Sequence, residues 1–154
     1  MYFGATTSSF SLYQSTANTS TSVDLTGAFP KGIATEPAIN TGTHVVSWTE
    51  TAQGKAPDFV RLDVYATATS SGMDRGIDWD IIAPYSGATL QLPTLVGEGL
   101  RYNLAAGDQA SLTLSSVTAT GGYDAVRERA FTTSIEGLVG ITAGRVMTAT
   151  YAAP

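Results

Sequence analysis

The sequence predicts an all-β protein, an antiparallel β-sandwich folded as a single domain over residues 1–154. Three observations lead there. Apolar and polar residues alternate with period two along most segments, the signature of half-buried strands. Turn residues recur roughly every 8–12 positions, the spacing of sandwiches and barrels. Apolar residues at helical spacing are rare.

Residues 1–42 form a Ser/Thr-rich N-terminal elaboration, within which "FSLYQ" and "SVDLTGAF" are short extra strands. The run between them is a loop, and "FPKGIATEPAINTG" is irregular. The sandwich core and a C-terminal strand occupy 43–154. "HVVSWTE" (44–50) opens it, with Val46 and Trp48 on one face. "TAQGKAP" is a turn. "FVRLDVYATAT" (59–69) is the clearest strand, with Val60, Leu62, Val64, Ala66 and Ala68 on one face and Arg61, Asp63, Tyr65 and Thr67 on the other. Slipping its register by one residue would bury Arg61 and Asp63. "SSGMDRG" breaks the pattern and "WDIIA" starts a new strand. "PYSG" reads as a tight turn, Pro84 at its second position and Gly87 at a positive φ. Residues 79–92 are therefore expected to form a β-hairpin. In "ASLTLSSVTAT", Val117 and Ala119 are out of phase with Leu112 and Leu114, which predicts a bulge near Ser115 and Ser116. "GG" at 121–122 signals a hairpin turn. Helix formers make "YDAVRERAFTT" a candidate helix, but its β neighbours favour a strand. "RVMTATYA" (145–152) is the last strand.

Over residues 43–134 these segments resemble a fibronectin type III or immunoglobulin-like module. "VSWTE" is similar to its second strand, whose tryptophan would be Trp48. "VRLDVYAT" is similar to the third, with Tyr65 near the usual aromatic. "LQLPTLVGEGLRYNL" is similar to the stretch ending in the tyrosine corner, here Tyr102. The pattern departs at "AAGD", and residues 1–42 and the tail "ITAGRVMTATYAAP" exceed one module. The resemblance implies a bacterial extracellular or cell-surface domain, used in adhesion, architecture or spacing rather than in catalysis.

Composition narrows the function. Net charge is −5 and only 14% of residues are charged; Lys31 and Lys55 are the only lysines. So little positive charge cannot follow a phosphate backbone, which argues against nucleic acid, and equally against an anionic membrane surface. No apolar run approaches 18 residues, so no membrane insertion is expected, and residues 1–20 lack the basic and apolar regions of a signal peptide. With no cysteine, disulfides, thiolate zinc and a cysteine nucleophile are excluded.

Catalytic patterns are missing too. His44 is the single histidine, no G-x-S-x-G is present, and "GEG" at 97–99 lacks the rest of a phosphate loop. No spacing singles out a carboxylate pair among Glu50, Glu98, Glu128 and Glu136, so the protein is expected not to be an enzyme. "GMDRGIDWDIIAP" raises the question of a metal. An EF-hand starting at Asp74 fails, since Gly76, Trp79 and Tyr85 fall where Asp or Asn, Gly and Glu are needed. A looser calcium site would draw on Asp74 and Asp78, with Asp58 or Asp108 from other loops. The competing account places Asp78 and Asp80 on the wet face of a strand whose Trp79 and Ile81 face the core, and needs no cofactor. Tyr85, at the expected hairpin tip, is the candidate ring for stacking a glycan. Protein partners or self-association are expected, with "SFSLYQ" pairing with a neighbouring sheet edge.

Overall fold

In a computed structural model, residues 7–14, 29–68, 75–127 and 145–152 are described. They form two antiparallel sheets. The larger has the order β1 (Thr7–Gln14), β8 (Arg145–Ala152), β7 (Gln109–Ala119), β4 (Phe59–Ala68), β5 (Arg75–Pro84); the smaller has β2 (Ala38–Asn40), β3 (Val45–Ser47), β6 (Thr89–Gln91). All the strand pairs are antiparallel.

β4 lies between β5 and β7, and its alternation is the cleanest. Val60, Leu62, Val64 and Ala66 are buried, and in register they face Ala83, Ile81, Trp79 and Ile77 on β5 and Leu114, Leu112 and Ala110 on β7. Across the core lie Ile39, Val46 and Leu90, aligned over the three short strands, with Trp48, Leu92 and Leu104 from the connections. Burying one such side chain is worth about 1.5–3 kcal/mol, so this apolar layer between the sheets is what holds the two together. β4 and β8 fall where the alternation places them. β1 covers "FSLYQ", whereas 22–28 of "SVDLTGAF" lie outside the described residues.

Four expectations are corrected. Residues 79–92 are not a hairpin. The chain leaves β5 at Pro84, turns through Gly87 at φ 123°, and β6 joins the other sheet, where Leu90 pairs with Val46. The "PYSG" signal was a crossover between sheets, and only the long-range partner of Leu90 distinguishes the two. Second, β7 has no bulge, since its register with β4 is unbroken from Gln109 to Val117. Val117 and Ala119 are out of phase because they lie on the outer face, opposite Phe59, and are buried there. Third, "GG" does not make a hairpin. It leads into a helix, α1 (Gly122–Arg127), which covers that outer patch: Val126 is fully buried and the Tyr123 ring lies 6.2 Å from that of Phe59. Helix propensity prevailed because an apolar patch on the sheet needed covering. Residues 128–133 of the expected strand lie outside the described residues. Finally, β2 shows that the two-sheet core starts ahead of residue 43.

Candidate functional site

The sequence-derived metal candidates do not converge. Asp74 lies outside the described residues. Asp78 is exposed on the outer face of β5, opposite Tyr65. Asp58 precedes β4 at its other end, about 20 Å away at 3.3 Å per strand residue, and it is engaged. Its Oδ2 accepts the Ala119 N–H at 2.9 Å, its own N–H donates to the Val117 carbonyl, and its carbonyl accepts from Tyr85 N–H. Asp108 caps the turn before β7, its Oδ2 accepting the Ala105 N–H at 2.8 Å. Among the described residues no three His, Asp or Glu side chains gather as a metal site would require.

Tyr85 is not an exposed tip. It packs against the core, and its hydroxyl donates to Glu50 Oε2 at 3.0 Å. Burial, then the hydrogen bond to the Glu50 carboxylate and its charge, raises the Tyr85 pKa. Lys31 Nζ donates to the same oxygen at 3.1 Å. Glu50 Oε1 and Trp48 Nε1 are buried without a hydrogen-bond partner. This cluster anchors the strip before β2. Backbone bonds join Lys31 to Lys55, Lys55 to Phe29, Ala34 to Thr49 and Thr51 to Gly32, and Gly54 approaches Lys31 so closely that a Cβ there would lie 2.7 Å from Lys31 Cα.

His44 is likewise structural. Its Nε2 lies 2.9 Å from the Leu104 carbonyl, which only accepts, so Nε2 carries the proton. Nδ1 is 3.4 Å from Thr94 Oγ1. Together with Asn103, which bonds both the N–H and the carbonyl of Leu95, His44 fastens the β6–β7 connection to the body. Tyr102 ends the 3-10 helix Gly97–Tyr102 of that connection, 39% exposed with the Arg101 guanidinium 4.9 Å from its ring centre, which is not the buried position a tyrosine corner needs.

Two features of the large sheet remain. The outer face of β4 and β5 carries Asp63, Asp78 and Asp80, and there the Arg61 guanidinium bonds both Asp80 oxygens (3.0 and 2.9 Å) and sits 3.4 Å from Asp63. Burial raises the Asp63 pKa; Arg61 lowers it, and Asp80 and Asp78 raise it. Beside them Tyr65 is 57% exposed, in register with Asp78 and Ser111. Tyr65 is the exposed ring that alternation alone placed on the wet face; Tyr85 was favoured only because a hairpin was expected.

The second feature is the sheet's edges. Among the described residues β5 is one, and it carries Arg75, Asp78 and Asp80; charges on an edge strand oppose pairing with another chain. β1, the other, reads TSSFSLYQ and has no charge at all. It adds to β8 along its whole length, Thr7 opposite Ala152 through Gln14 opposite Arg145.

In comparisons with known proteins, the chain matches no family model, no curated protein and no solved structure.

Proposed function

We propose that this chain is a non-enzymatic structural or adhesive module of an extracellular or cell-surface protein, immunoglobulin-like in architecture, that self-associates by adding strands to sheet edges. The observation that carries it is β1, an uncharged eight-residue strand laid on the edge of β8 outside the modular part of the chain. Main-chain hydrogen bonds make such an addition strong with little demand on side chains. The module type is supported by strand order. β2-β3-β6 opposed to β5-β4-β7-β8 follows the succession A-B-E against C′-C-F-G of such sandwiches. An extracellular setting is suggested by a composition rich in Ser and Thr with two lysines in the chain. Glu50, Asp58, Asp108 and His44, the groups best suited to chemistry, are each tied into the scaffold, and calcium is not part of the mechanism. Light scattering on the intact chain and on one lacking residues 1–20 is the test. A mass that falls to the monomer on deletion supports the proposal, and unchanged assembly removes it.

A second function, glycan binding, is favoured by one observation: Tyr65 stands 57% exposed on a polar sheet face, with the Asp63 and Asp78 carboxylates and the Ser111 hydroxyl around it. The ring face would meet sugar C–H groups while these neighbours bond its hydroxyls. A glycan array followed by Tyr65→Ala tests it. Binding lost with that substitution supports it; no binding, or binding unchanged, rules it out.

A further inference from the structure

We infer that in the assembled protein the β8 edge is occupied by residues 7–14 of a second copy, exchanged in the antiparallel register seen within one chain. The inference rests on the self-association proposed above and specifies donor, acceptor and register.

Three observations lead to it. First, β1 pairs with β8, and with no other strand of the described residues. Every backbone bond it makes is therefore available unchanged from another copy. Second, the chain is fixed again at residues 29–34, by the Lys31–Glu50 ion pair and the backbone bonds to 49–55. Only the segment 15–28 links β1 to this anchor. At about 3.5 Å per residue it spans at most about 50 Å, which is enough to reach the sheet of an adjoining copy. Third, β1 lacks the charges that guard β5.

The choice between the two arrangements is set by concentration. The contacts are the same, and the covalent link gives β1 an effective concentration at its own β8. Exchange prevails where copies are crowded to a comparable degree, as along a fibre or on a surface. Donor and acceptor are different patches, so the contact is head-to-tail. It grows into an open chain unless a ring or a reciprocal dimer closes it.

Because the protein has no cysteine, introduced thiols report unambiguously. Phe10 faces Ala149, and Ser11 faces Thr148. Neighbouring pairs in an antiparallel ladder alternate between wide and narrow, so one of these two brings its Cα atoms to about 4.5 Å, within disulfide reach. Full-length Phe10→Cys is mixed with full-length Ala149→Cys, and Ser11→Cys with Thr148→Cys, at a concentration where light scattering shows association, and then oxidised. The expected result is a disulfide-linked dimer of unlike chains in at least one mixture, severalfold above either like dimer. A mixture of Thr7→Cys with Arg145→Cys should give none, as these positions lie at opposite ends of the pairing. Association without unlike dimers in either mixture overturns the exchange while leaving self-association intact. Equal yields from the Thr7 and Arg145 control overturn the register. A chain that stays monomeric at every concentration overturns both proposals.

Discussion

Replacing Asp58 by alanine removes one bond whose surroundings define its worth. The carboxylate accepts the Ala119 N–H at 2.9 Å, where β7 ends, and Ala119 is 7% exposed, so water does not replace the lost acceptor freely. The other two bonds of residue 58, to Val117 and Tyr85, run through the backbone and survive the substitution. A hydrogen bond to a charged group contributes about 1.5–3 kcal/mol, and stranding a buried donor costs a similar amount. Releasing a half-buried carboxylate offsets part of this, which leaves a loss of about 2 kcal/mol. For a chain of this length that lowers Tm by about 4–8 °C. Asp58→Asn keeps an uncharged acceptor and should lose about half as much. Thermal melts of the parent and both variants, with calcium and with chelator, provide the assay. An alanine variant within about 0.5 kcal/mol of the parent would refute the clamp. A calcium-dependent Tm in the parent that disappears with Asp58→Ala would make Asp58 a metal ligand instead.

Four further substitutions probe other parts of the scaffold. The native state holds the Asp63 proton more tightly than the unfolded chain does. Stability therefore falls as pH rises from the ordinary value of 3.8 through the raised one. Asp63→Asn should stabilise the fold by about 0.5 kcal/mol at pH 7, as for relief of opposed like charges on a solvated face, and by almost nothing at pH 3; equal effects at both would contradict this. Gly54→Ala should cost about 2 kcal/mol or more, because φ is 115° and the new Cβ meets Lys31 backbone at 2.7 Å. Gly87→Ala, equally strained at φ 123° but with open space around it, should cost clearly less in the same denaturant series. Val126→Ala should cost about 2 kcal/mol if α1 covers the outer apolar patch; a neutral substitution would mean that the helix does not pack there.

What the sequence made legible was local. β4 and β8 lie where alternation put them, and Trp79 and Ile81 turn inward while Asp78 and Asp80 face water. Alternation records which face is buried, and that information is carried by each strand alone. The partner of a strand is not. "PYSG" satisfies the rules of a hairpin turn, yet β6 pairs with β3, because Leu90 is needed in the small sheet opposite β4. Val117 and Ala119 did carry a signal. Their change of phase marked the point where the apolar side of β7 passes from the inner face to the outer, and the helix-forming "YDAVR" was the cover. A bulge and a second buried face look alike in one sequence; they differ only in whether something lies on top. Tyr85 was misplaced for the same reason as the hairpin. Its partner Glu50 is 35 residues away, and only the tertiary fold joins the two to Lys31.

Strand addition makes its simplest claim on mass. The monomer is 16.0 kDa. Light scattering on the intact chain, over a hundredfold range of concentration, should show the weight-average mass climbing through multiples of that value. A mass fixed at the monomer across the whole range would contradict the account.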